Sequence, residues 1–170
     1  MSNKILALIL GISLFSVYLF SINLYPLVDE DEGAFASATL TMMDSGNFTN
    51  VELAGERRDD KPVLPHWLQV ISLKTFGFSE FAFRLPSVIF GLLWAFVTFW
   101  FTKKISNKRN AFLAAFFVLA SLVASIIIKT ATADGIFNFF VASTTLLAFL
   151  ALREQRTIYT MQQFLPALAF

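Results

Sequence analysis

The chain has 170 residues, of which 56% are hydrophobic, 21 are phenylalanine and only 15% are charged, against about 25% in ordinary soluble domains. Its net charge is +1, its basic residues are scattered, and it has no cysteine, so nucleic-acid binding, disulfides, thiolate chemistry and cysteine-ligated zinc are excluded. What remains is an all-α integral membrane protein.

Four segments carry no charge: residues 5–22, 85–102, 111–128 and 135–152. At about 1.5 Å per residue each reaches roughly 27 Å, close to a hydrocarbon core of about 30 Å. Four complete spans are therefore expected. Residues 5–22 follow Lys4 as a signal peptide would, but the apolar run is too long and no small-residue cleavage site follows it. It reads as an uncleaved first span, with Tyr25 as an interfacial aromatic.

Residues 25–83 form an outer loop that holds most of the acids, including Asp29, Glu30, Asp31 and Glu32 in a row. Asp29 or Asp31 is expected to N-cap a helix near 32–45, with Phe35, Ala38 and Met42 on one face and Gly46 as its stop. Residues 51–60 read as irregular or short extended structure turning at Gly55. A second helix, near 63–76, places Leu64, Trp67, Leu68 and Ile71 on one stripe, with His66, Gln69 and Lys74 away from it. That pattern predicts an interfacial amphipathic helix anchored by Trp67.

The second and third spans are joined by the short turn KKISNKRN, which predicts an antiparallel pair. The turn ATADG leads into the fourth span, and residues 164–170 begin a fifth apolar segment, so the chain is expected to be the first part of a larger membrane domain. If Lys4 is cytoplasmic, Lys103, Lys104, Lys108, Arg109, Arg153 and Arg156 all fall in cytoplasmic segments, as the positive-inside rule requires. The acidic loop and Asp134 then share the outer side.

Three groups stand out chemically. Closely placed carboxylates among Asp29–Glu32 suit a general base or a divalent cation; as a helix start they equally complement the dipole. Lys61, beside Pro62 at headgroup depth, suits a lipid phosphate, or simply snorkels. Asp134, at the mouth of a helical hairpin, is costly unless it is paired, caps the helix or serves function. Arg84 and Lys129 are its candidate partners.

In this order, Asp31-Glu32, MMDSGNF, AGERRDDKP, HWL, FGFSEFAFRLPSVIFG and TATADGIFNFF resemble the N-terminal third of the polyprenyl-phosphate-dependent GT-C glycosyltransferases. That superfamily includes the lipid A aminoarabinose transferases and the protein O-mannosyltransferases. The resemblance covers about residues 29–149. It implies a GT-C helical bundle and a membrane glycosyltransferase that moves a sugar, with inversion, from a polyprenyl-phosphate carrier to a lipid, glycan or protein hydroxyl outside a bacterial inner membrane. It also implies roles for matching residues: Asp31 with Glu32 and Asp134 as catalytic carboxylates, Lys61 and Arg84 as ligands of the donor phosphate, and Asp60 as a candidate ligand for a divalent metal cation. Val63 and Phe35 depart from the usual proline and tyrosine. His66 stands where an aromatic is usual and is expected at the interface. The alternative from another class is a scaffold subunit or relic that keeps the loop without the rest of the donor groove.

Overall fold

The computed structural model describes residues 11–12, 16, 18–19, 21–27 and 30–164. After a 3-10 turn at Ser21–Asn23 come helix α1 (Glu30–Ser45), a hairpin of β1 (Glu52–Leu53) and β2 (Glu56–Arg57), and helix α2 (Leu64–Phe76). Helices α3 (Glu80–Ile105), α4 (Lys108–Ala120), α5 (Leu122–Lys129) and α6 (Asp134–Phe164) follow.

Helix α1 forms where the acidic start predicts it. Phe35, Ala38 and Met42 are all buried, and Gly46 ends the helix with φ +68°. Asp29 lies outside the described residues, and Asp31 sits in the first turn rather than capping it. The hairpin turns on Ala54 and Gly55, whose φ values of 54° and 82° suit a two-residue loop.

Helix α2 inverts the usual amphipathic arrangement. Leu64, Trp67 and Ile71 face outward, while His66, Gln69, Val70 and Leu73 are buried against α1 and α3. An apolar outer face is what a helix lying on lipid presents. His66 is thus a core residue, 1% exposed, and the expectation of an interfacial histidine is corrected.

Helix α3 is the central element. It starts five residues before the expected span because Ser79 caps it, its hydroxyl accepting from the Ala82 N–H at 3.2 Å, and it carries Pro86 without ending there. Residues 82–88 are all buried and pack against α1, α2 and the 130–133 loop. Gly91 gives the closest approach: a Cβ there would lie 2.4 Å from Ile128 Cγ2 of α5. Phenylalanine pairs fasten the long helices, Phe90 to Phe139 and Phe140, Phe101 to Phe149, and Phe99 to Phe112.

The expected third span is broken. Its halves, α4 and α5, meet at Ser121 with a bend of 65°. Ser121 is extended (φ −66°, ψ 129°) and its hydroxyl caps α5. The Leu119 carbonyl beside the break accepts from the Tyr18 hydroxyl at 2.6 Å and from the Ser125 hydroxyl at 3.0 Å. No charge, glycine or proline marks the break, and such satisfaction of backbone groups is what allows one within a membrane.

The fourth span also differs. Helix α6 runs unbroken through Arg153 to Phe164, since Arg, Glu and Gln are good helix formers and nothing before Pro166 stops it. Residues 165–170 lie outside the described residues, as does most of 5–22. Among the described residues, α3 and 134–153 are long and apolar enough to cross a membrane, and α4 with α5 counts as a third crossing if the bent pair is one span. Four complete spans are not seen among them. The chain is a mostly helical integral membrane protein.

Candidate functional site

The site is built on a buried ion pair. Arg84, fully buried in α3, donates Nε to Glu32 Oε1 at 2.8 Å and Nη2 to Glu32 Oε2 at 2.7 Å. Its Nη1 donates to the carbonyls of Ile22 (2.7 Å) and Tyr25 (2.9 Å), and Nη2 also to that of Pro26 (2.9 Å). All five guanidinium N–H groups are thereby used. Glu32 in turn accepts the Ala131 N–H at 2.7 Å. One charge pair thus joins the end of the first segment, the start of α1, α3 and the loop before α6.

This arrangement reassigns two expected site residues. Arg84 has no donor left for a phosphate, and both Glu32 oxygens are engaged inside the protein, so neither reaches the surface where a substrate would lie. Their effect is on their neighbours. Asp31 precedes Glu32 and points out to solvent, while Asp134 follows the loop that Glu32 holds.

The opposite wall comes from residues 58–65. Arg58 Nε and Nη2 reach Asp60 Oδ1 and Oδ2 at 2.9 and 3.0 Å, and this pairing holds the Asp60 carboxyl at a pKa of about 2. Among the described residues no three His, Cys, Asp or Glu side chains gather to complete a ligand set. The described residues therefore do not by themselves complete a site for the expected divalent cation.

Lys61 Nζ lies over the Phe35 ring, 5.6 Å from its centroid, and forms no ion pair among the described residues. Between these walls is a cleft of about 440 Å³. Asp31, Asp60, Lys61 and Asp134 all line it, with Phe35, Phe137 and Phe140 as apolar surface. Residues some hundred positions apart in sequence meet here.

Asp134 opens α6 in its first turn, where a carboxylate complements the dipole, and it accepts from the Thr132 hydroxyl at 3.3 Å. It is not paired with either expected partner. Arg84 is committed to Glu32, and Lys129 lies 5.2 Å over the Tyr18 ring.

Sequence reasoning missed a polar network under Lys61. The Thr39 hydroxyl donates to Gln69 Oε1 at 2.6 Å, and His66 Nδ1 lies 2.9 Å from the Thr39 hydroxyl oxygen. Gln69 Nε2 donates to the Ala131 carbonyl at 3.0 Å. The imidazole stacks on Phe35 at 5.0 Å, and burial pulls its pKa down to about 4, partly opposed by the Phe35 backbone. The available signal was the helical spacing of His66, Gln69, Val70 and Leu73 opposite the apolar stripe.

The family model for dolichyl-phosphate-mannose-protein mannosyltransferase matches residues 60–170. Undecaprenyl phosphate-alpha-4-amino-4-deoxy-L-arabinose arabinosyl transferases are among the similar curated proteins. That of Yersinia enterocolitica is 29% identical over 140 residues, 82% of this chain and 25% of the relative. That of Shewanella sediminis is 28% identical over 138 residues, 81% of this chain and 25% of the relative. This chain therefore spans about a quarter of their length. The crystal structure of ArnT from Cupriavidus metallidurans bound to undecaprenyl phosphate superposes with a TM-score of 0.77 at 22% identity, over 83% of this chain and 26% of that one. Its apo state gives 0.73 at 23% identity, over 79% of this chain and 25% of that one.

Proposed function

Because this chain belongs to the dolichyl-phosphate-mannose-protein mannosyltransferase family, within the GT-C superfamily, we propose that it forms part of a glycosyltransferase acting on a polyprenyl-phosphate-linked sugar. The acceptor is a hydroxyl group, transfer inverts the anomeric centre, and the reaction takes place on the outer face of a bacterial inner membrane. The charge asymmetry of the loops supports that orientation.

The acceptor oxygen attacks the anomeric carbon as the bond to the carrier phosphate breaks. Asp31 takes the hydroxyl proton or orients the O–H, which an exposed carboxylate at the cleft edge can do. Asp134 is the second carboxylate facing the same space. Lys61 offers its ammonium to the phosphate, whose negative charge grows as it leaves. Phe137 and Phe140 offer apolar surface to a lipid chain. Arg84 and Glu32 act by holding Asp31 and the Asp134 loop in place.

The observation that carries this reading is the meeting of Asp31, Lys61 and Asp134 around one cleft. Replacing Asp31 by Asn, in purified protein supplied with a polyprenyl-phosphate sugar, should slow transfer by about 10²–10⁴-fold without changing membrane insertion. Transfer at the unaltered rate would remove Asp31 from the mechanism.

A further inference from the structure

His66 takes no part in the transfer step, yet its hydrogen bonding defines one free acceptor in the core. The Gln69 amide is oriented by its donation to the Ala131 carbonyl, so its Oε1 accepts the single Thr39 hydroxyl proton. The Thr39 oxygen must then accept from His66, which fixes the ring proton on Nδ1. Nε2 carries a lone pair, is buried, and has no hydrogen-bond partner among the described residues.

His66 also forms part of the wall of a small cavity of about 10 Å³, together with Phe35, Arg58 and Lys61. That volume is at the lower limit for holding one water molecule. Lys61 and Phe35 line this cavity on one side and the catalytic cleft on the other. The Phe35 ring is shared as well, stacked on the imidazole and carrying the lysine ammonium.

We propose that His66 is the positioning residue for Lys61: a single water in this cavity donates to Nε2 and accepts from the Lys61 ammonium, holding it at the edge of the cleft. The lysine is then aimed before any anion arrives, rather than sampling solvent as a long flexible side chain does. Pre-organisation of this kind reduces the entropy lost on binding. An aromatic residue at position 66 would stack on Phe35 equally well but would offer no acceptor. The inference rests on the assignment of Lys61 to the carrier phosphate.

The chain has a single histidine, so ¹⁵N-histidine labelling reports on this ring alone. In detergent or nanodiscs at neutral pH, the spectrum should show a neutral ring protonated on Nδ1 with Nε2 accepting a hydrogen bond. Lys61→Met should move the Nε2 resonance, and Lys74→Met should leave it in place. A ring protonated on Nε2, or an Nε2 signal indifferent to Lys61→Met, would overturn the proposal.

Two substitutions separate positioning from packing. His66→Gln can present an amide oxygen near the Nε2 position, whereas His66→Asn can keep only the bond to Thr39. With undecaprenyl phosphate as the probe, Gln should bind nearly as the native chain does and Asn about tenfold more weakly. Equal loss in both variants would leave His66 a packing role and overturn the proposal. If the native chain binds no undecaprenyl phosphate while Nε2 still follows Lys61, the assigned function fails and the placement of Lys61 stands.

Discussion

Glu32 and Arg84 form a bidentate, fully enclosed ion pair, 2.8 and 2.7 Å between the paired atoms, that ties the first turn of α1 to the first turns of α3. Taking both charges out of water is costly, and the cost is offset only because every guanidinium donor and both carboxylate oxygens find partners. The pair is consequently less a source of net stability than a clamp. It sets the distance between Asp31 and the loop leading to Asp134, which together face residues 58–65 across the cleft.

Removing one member of that pair leaves the other charge buried and unmatched. Arg84→Met or Glu32→Gln should each destabilise the protein by about 3–5 kcal/mol, read as loss of folded protein in a detergent denaturation series. Arg84→Lys should restore little, because an ammonium cannot form the planar two-bond contact. Near-native stability in the single variants would mean that the clamp is dispensable.

Gly91 is where α3 and α5 touch. Gly91→Ala introduces a methyl group at 2.4 Å from Ile128, and overpacking of this kind costs about 1–3 kcal/mol. Trimming Ile128 to Ala in the same chain should recover part of the loss. Additive destabilisation in the double variant, measured by thermal unfolding, would show that the two positions do not share the contact.

If Lys61 holds the carrier phosphate as proposed, Lys61→Ala should weaken binding of undecaprenyl phosphate by about ten- to a hundredfold, the range of a charge-assisted hydrogen bond. Lys61→Arg should retain part of the affinity. An unaltered Kd, from titration of the lipid into nanodisc-embedded protein, would return Lys61 to a snorkelling role.

The stability of the protein should fall as the pH drops from about 6.5 towards 4, through His66. The folded state holds the ring neutral down to about 4, while the unfolded chain binds its proton near 6.5, so the unfolded state takes up more protons across that window. The loss approaches an order of 3 kcal/mol below pH 4. In His66→Phe this share of the dependence should vanish, leaving only that of the carboxylates. A melting temperature that responds to pH identically in both proteins would contradict a buried neutral His66.

The amino-acid sequence by itself determined the membrane class, the two loop helices, and the candidate working residues Asp31, Lys61 and Asp134. Each depends on local quantities: runs of uncharged residues, stops such as Gly46, and carboxylates at helix starts. Tertiary structure decided what these patterns leave open. Arg84 reads in sequence as a cation near the outer surface, but Glu32 and three backbone carbonyls enclose it. His66 and Gln69 look like the wet face of α2, but α1 and α3 cover that face and lipid suits the other. The bend at Ser121 has no breaker to mark it, and the Leu119 carbonyl beside it is satisfied by Tyr18, about a hundred residues away. Pairing partners and buried faces depend on contacts between distant segments, and no local pattern carries that information.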